Sequence, residues 1–332
     1  MQMEPGLQGF MKAESSCKRI KQPISANRNL NQVLAMAALM WPLLAMVMVG
    51  QMQGIQADNT PAHFNEKFYA GWRPDHVWLA DEGRTINLKL DNDTGCGFRS
   101  YHSYVHGYVS ISIKLVPKNS AGVVIAYYMT SERTNTTTDW DEIDFEFLGN
   151  VSGQPWILQT NIFTNGTGGR EQRIFLWFDP TAEYHKYSIL WNPHQIVWYV
   201  DSVPIRVYRN TSITYATYPK LKPMTIYSSI WNGDSWATRG GLEKINWSYA
   251  PFITSYTDFL IDACEWNLPN PTPSCFWYTQ PYWWDQPDKW TLSIAEKNYY
   301  TYFTKKYTTY DYCQDFQRYP VQMPECATPP WD

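Results

Sequence analysis

A chain of 332 residues has room for one large domain or two small ones, and a formal net charge of −4 with no long basic run argues against nucleic acid as a partner. Its 17 Trp and 24 Tyr suit a β-rich core, and they also suit a surface on which flat rings stack against the C–H faces of sugars. The core accounts for more of them.

The first recognisable element covers residues 33–49, an unbroken apolar run preceded by Lys12, Lys18, Arg19, Lys21 and Arg28 and followed by no Lys or Arg before Lys67. A positive flank and an apolar run read as a secretory signal. The run is also near the shortest that spans a bilayer, so a retained signal anchor competes with cleavage. Pro42 within it, and Gly50 and Gly54 after it, favour cleavage. In both cases the flank stays cytoplasmic and the rest is exported, and the chain meets a membrane only if the segment is kept. Sequons at Asn92, Asn135, Asn150, Asn165, Asn210 and Asn246 fit export. Asn150 is the expected glycan site, at a turn after a strand.

Residues 108–115 alternate, with Val109, Ile111, Ile113 and Leu115 on one face and Tyr108, Ser110, Ser112 and Lys114 on the other. That pattern predicts a half-buried antiparallel strand. A turn at Pro117–Gly122 leads to a second strand at 123–129, and further strands are expected at 185–191, 195–200, 203–208 and 224–231. Short strands separated by turns, with no long amphipathic helix before residue 285, predict an all-β sandwich.

Residues 141–150 read DEIDFEFLGN. A strand has a side-chain period of two, so Glu142, Asp144 and Glu146 share one face while Ile143, Phe145 and Phe147 share the other. Three crowded carboxylates need a solvated groove. Retaining glycosidic cleavage uses two carboxyl groups roughly 5–5.5 Å apart, one a nucleophile and one a protonated acid. The Cα atoms of Glu142 and Glu146 are about 13 Å apart on an extended strand, so only long side chains on a concave strand bring them together. A solvated charge run, a charge-guarded edge strand and a calcium loop are the competing readings. The last would need a Gly-containing turn rather than aromatics between its ligands.

Downstream, Gln159, Thr160 and Asn161 offer donors and acceptors suited to sugar hydroxyls, and Arg170 and Glu171 follow a Gly-rich turn. In WNGDSWATRGG (231–241), Trp236 suggests a stacking platform, and Gly240 a close backbone approach to the ligand. Ordinary loop polars and a core Trp explain these residues equally well. Cys264, Cys275, Cys313 and Cys326 imply two disulfides in an exported chain, since their spacings are wide and no His follows His194. Cys17 lies in the leading flank, and Cys96 is expected as a buried free thiol.

DEIDFEFLGN resembles the active-site strand of the plant xyloglucan endotransglucosylase/hydrolases of glycoside hydrolase family sixteen. KLVPKNSAG (114–122), QTNIFTNG (159–166), REQRIFLWFDPT (170–181), VDSVPIRVYRN (200–210), IYSSIWNGDSWATRGGLEKINWS (226–248) and YDYCQDFQRYPVQMPEC (310–326) resemble family segments in family order. The resemblance implies a curved jelly roll of the concanavalin type with a short disulfide-bonded C-terminal extension. It makes Glu142 the nucleophile, Glu146 the general acid/base and Asp144 the helper. It pairs Cys264 with Cys275 and Cys313 with Cys326, assigns Arg318 to substrate, and favours a glycan on Asn150. No metal or organic cofactor is implied. Trp140 stands where the family usually carries His, and Ser235 where it commonly carries Asp.

Together these readings divide the chain into a flank plus signal peptide or anchor (1–54), a catalytic β-sandwich (55–255) and an extension of the acceptor side of the groove (256–332). They predict a secreted, cell-wall (apoplastic), monomeric enzyme. It cuts the β-1,4-glucan backbone of xyloglucan and transfers the cut end to another xyloglucan chain or oligosaccharide. A hydrolase and a binding protein that has lost turnover are the alternatives.

Overall fold

The computed structural model describes residues 62–133, 138–266, 282–327 and 329–330. The apolar run 33–49, Cys17, Cys275 and the Asn135 sequon lie outside the described residues. In chain order the strands are β1 (Phe68–Trp72), β2 (Val77–Ala80), β3 (Thr85–Leu90), β4 (Cys96–Lys114), β5 (Val123–Ser131), β6 (Glu142–Leu148) and β7 (Ile157–Phe163). They continue as β8 (Gln172–Phe175), β9 (His185–Trp191), β10 (Gln195–Val200), β11 (Val203–Arg209), β12 (Met224–Asn232), β13 (Phe252–Trp266) and β14 (Thr308–Asp311).

The strands form one antiparallel ladder, β11-β10-β9-β4-β12-β5-β6-β7-β8-β14, with β1, β13, β3 and β2 attached off that path. The ladder becomes two layers because β4 bends. Its first half pairs with β12 and its second half with β9. Between the halves, His106 and Gly107 have φ of 63° and 144°. A side chain at Gly107 would lie 2.2 Å from Ala263 Cβ on the neighbouring β13, so the bend needs glycine both for its dihedral and for space. A strand that turns a corner in this way serves both sheets of a sandwich.

The core lies between the layers. Ile143, Phe145 and Phe147 of β6 are fully buried, as period two requires. Phe145 and Phe147 meet the Tyr187 ring of β9 at 5.8 and 4.7 Å. Burying each such side chain contributes roughly 1.5–3 kcal/mol. From β10, Trp198 Nε1 donates to the Asp144 carbonyl at 3.0 Å, which fixes β6 from below.

The predicted solvated face of residues 108–115 is not solvated. Ser110 and Ser112 are buried, and the Tyr108 ring meets that of Trp283 at a tilt, 5.1 Å between centres. Leu190, Val197, Val207 and Cys264 cluster with Trp284, Leu292 and Tyr300. The C-terminal extension therefore packs against the outer side of this sheet and adds a third layer, which local alternation does not reveal. The extension grows out of β13, which runs across residue 255. It continues into the helix Ile294–Tyr307, whose start carries a Ser293/Glu296 capping box. It then returns as β14, added beside β8, and the Cys313–Cys326 disulfide closes it. Cys264 is also disulfide-bonded, and Cys96 is a buried free thiol.

Candidate active site

On β6, Glu142, Asp144 and Glu146 pair in register with Thr130, Tyr128 and Ala126 of β5 and with Phe163, Asn161 and Gln159 of β7. Alternation puts all these side chains on the face opposite the core. All but Thr130 line one trough of about 470 Å³ together with Glu171, Arg173, Trp231 and Trp236. A second trough, bordered by Arg99, Lys222 and Tyr227, joins it at Tyr128, Arg133 and Glu142.

The carboxylates lie on the floor of the groove, more enclosed than a solvated acidic face would be. Glu142 is 7% exposed and Asp144 5%. Burial first, then the negative charges of Glu142 and Glu146, hold the Asp144 carboxyl well above the usual carboxylate range. Glu146 is also raised, chiefly by burial. The Gln159 hydrogen bond opposes that rise, while the charges of Glu142 and Glu171 add to it. A raised carboxyl beside an ionisable partner is the division of labour that acid-assisted glycosidic cleavage requires.

Three predicted residues stand in this groove with defined partners. Gln159 Nε2 donates to Glu146 Oε2 at 2.5 Å, and Gln159 Oε1 accepts from Arg173 Nε at 2.6 Å. Asn161 Oδ1 accepts from the backbone N–H groups of Ile162 and Arg170. Glu171 receives two hydrogen bonds from Arg318, at 2.8 and 3.2 Å. Arg318 is not itself a lining residue and reaches the groove through Glu171. Trp236 lines the trough beside Trp231, 6.0 Å between ring centres.

Three other residues expected at the substrate, Thr160, Arg170 and Gly240, stand outside the two troughs. Thr160 lies between Gln159 and Asn161, so its side chain points to the opposite face, where it accepts from Arg206 Nη1 at 2.9 Å. Arg170 is 5% exposed, and its Nε donates to Glu325 at 2.6 Å. Its carbonyl accepts from Arg206 Nη2 at 2.6 Å, and Arg206 stacks 5.0 Å from the Trp198 ring. Thr160 and Arg170 thus belong to a buried polar network behind the sheet. Gly240 sits outside both troughs. Its φ of 68° belongs to the turn Thr238–Gly241, and a side chain there would meet nothing within 4 Å.

The sequence reading missed Arg133, Arg173 and Tyr128. Arg173 was within reach of the period-two rule, because it lies two residues after Glu171. Arg133 donates to Glu142 Oε2 and lies 4.4 Å over the Trp140 ring, a partnership across a loop that no local pattern announces.

A family model for glycosyl hydrolases family 16 matches residues 64–249, and one for the xyloglucan endo-transglycosylase C-terminus matches 278–326. The chain belongs to the xyloglucan endotransglucosylase/hydrolase family. Among curated relatives, "Probable xyloglucan endotransglucosylase/hydrolase protein 8" of Arabidopsis thaliana is 52% identical over 81% of this chain and 88% of its own. Xyloglucan endotransglucosylase/hydrolase protein A of Phaseolus angularis is 48% identical over 88% of this chain and 98% of its own. Among solved structures, a Bacillus licheniformis β-glucanase is 27% identical, with a TM-score of 0.48 over 59% of this chain and 86% of that one. The C-terminal match of the xyloglucan endotransglucosylase/hydrolases takes in the helix, β14 and the Cys313–Cys326 bridge, the segment that holds Arg318 against Glu171.

Proposed function

We propose that this groove cleaves the β-1,4-glucan backbone of xyloglucan by a retaining double displacement and passes the cut end to a second xyloglucan chain or oligosaccharide. In the first step a Glu142 oxygen attacks the anomeric carbon, the glycosidic C–O bond breaks, and Glu146 gives its proton to the leaving oxygen. In the second step the acceptor hydroxyl attacks the same carbon and returns its proton to Glu146, while the electron pair of the ester bond goes back to Glu142. Asp144, between them, orients its neighbours.

The observation that carries this reading is the pairing of an enclosed, raised Glu146 with Glu142 on one strand face, inside a groove edged by Glu171, which Arg318 holds from behind. Transfer over hydrolysis follows if that edge holds a sugar hydroxyl in near-attack geometry, because effective molarity then outweighs the abundance of water. The same reading has residues 55–255 as the catalytic sandwich and 256–332 as its acceptor-side extension. It has the chain exported to the cell wall, acting as a monomer, with a glycan on Asn150.

The test offers xyloglucan together with a fluorescent xyloglucan oligosaccharide and compares label entering polymer with new reducing ends. Label in polymer with few new reducing ends supports transfer. Reducing ends accumulating at the same rate with and without acceptor make the protein a hydrolase. No change in polymer size makes it a binding protein.

A further inference from the structure

The Arg133–Glu142 pair is built from parts that the double displacement does not explain. Arg133 follows the end of β5 and stands where the two troughs meet. Its side chain is 52% exposed, whereas that of Glu142 is 10% exposed. A long, half-exposed side chain ordinarily gains little from a surface ion pair. Here the guanidinium has a prop. Its face lies over Trp140 at 4.4 Å, and Trp140 in turn stacks 6.1 Å from Phe163 of β7. The backbone beneath the indole is pinned as well. Gly166 N–H donates to the Trp140 carbonyl at 2.8 Å, and Asp141 Oδ1 accepts from Asn165 N–H at 2.9 Å and Lys222 Nζ at 3.1 Å. A planar cation held on an aromatic face and donating to a nearly buried carboxylate makes a directional, charge-assisted bond.

We infer that Arg133 is a positioning residue that sets how fast the glycosyl-enzyme collapses. The inference rests on the assignment of Glu142 as nucleophile. The ion pair exists while Glu142 is a carboxylate and is lost when Glu142 becomes an ester, because the ester carries no charge. Arg133 therefore stabilises the free enzyme relative to the covalent intermediate. In the second half-reaction negative charge returns to Glu142 as the ester bond breaks, and the guanidinium meets that developing charge in the transition state. The first half-reaction runs the other way, since attack uses up the charge that Arg133 stabilises. One residue thus favours release from the intermediate without favouring its formation, and Trp140 is what holds it in place.

The experiment compares the wild-type protein with Arg133→Met and Arg133→Lys. Acid-quenched intact-mass analysis during turnover, with peptide mapping, reads the fraction of enzyme carrying sugar on Glu142. Steady-state kinetics are measured in parallel. Arg133→Met is expected to raise the covalent fraction and to lower kcat on the order of tenfold, with the donor KM falling further than kcat, so that donor kcat/KM rises. Arg133→Lys keeps the charge without the planar fork and is expected to fall between. An unchanged covalent fraction, or a fall in donor kcat/KM as large as the fall in kcat, overturns the role of Arg133. Sugar found on a residue other than Glu142 in the wild-type protein overturns the nucleophile assignment instead, so the two failures are distinct.

Discussion

Gln159 stands between Arg173 and Glu146, accepting from the first at 2.6 Å and donating to the second at 2.5 Å. The guanidinium fixes which way the amide faces, so Glu146 receives an N–H rather than a carbonyl. That donation lowers the Glu146 pKa against the rise imposed by burial. Replacing Gln159 with Leu removes the opposing effect, and Glu146 keeps its proton to higher pH. Donor kcat/KM, which in the proposed mechanism requires Glu146 protonated, is expected to hold further into the alkaline range, with a lower maximum. A pH profile whose alkaline limb moves down would contradict the relay.

Arg170 and Arg318 look alike in the sequence, each beside groove-forming residues, but they are expected to fail differently. Arg170→Ala leaves Glu325, 8% exposed in its ion pair, without its cation. The cost is roughly 3–5 kcal/mol of stability, read by chemical denaturation, with substrate KM values little changed. Arg318→Ala frees Glu171 at a half-exposed edge, with a stability change of at most about 1 kcal/mol. Its effect is expected in the acceptor KM, several-fold higher, and in a larger share of reducing ends relative to transfer. A donor-side defect in Arg318→Ala would argue against the acceptor edge.

Asp144 connects chemistry to folding stability. Its carboxyl is raised in the folded protein by burial and by Glu142 and Glu146, while in the unfolded chain it titrates near ~3.9. Between those two values the folded state binds the extra proton. Its contribution to stability is therefore complete below the unfolded value and is lost as pH rises through the folded one. Asp144→Asn removes that dependence. The variant is expected to be more stable than the wild-type protein at neutral pH and much less active, a trade-off common where acids are crowded for function. Melting curves at pH 4 and pH 7 check it: the gain should be larger at pH 7.

The disulfide Cys313–Cys326 spans 13 positions of the chain. A loop of this length constrains the unfolded state by about 3 kcal/mol. Cys313→Ser with Cys326→Ser should lower the denaturation midpoint accordingly. It should also raise the acceptor KM, since Arg318 and Glu325 both sit between or beside the two cysteines. Donor kcat/KM should change much less, and an equal loss on both sides of the reaction would mean the bridge holds the whole sandwich.

The strands with clean patterns were legible from sequence almost to the residue. β9 and β10 coincide with the runs at 185–191 and 195–200, because both are apolar segments bounded by turn residues. The face of β6 was legible for the same reason. The first half of β4 was not: its stretch GFRSYHSY has no apolar alternation and is ordered by pairing with β1 and β12. Thr160 shows where motif reading overreached, since three consecutive strand residues cannot all face one groove. Arg133 and the Arg206 network were illegible because their partners come from distant segments, and charge run by charge run the sequence does not say which cation meets which anion.

The bend in β4 also determines when this chain can fold. Both halves of that strand lean on β13, and β3 has β13 as a neighbour too, with Leu88 opposite Thr254 and Ile113 opposite Tyr256. As the protein is synthesised, β3 and β4 therefore wait, with open edges, until nearly the whole sandwich has left the ribosome. Folding should come late and all at once, and a chaperone that shields strand edges should matter most to chains halted before residue 252.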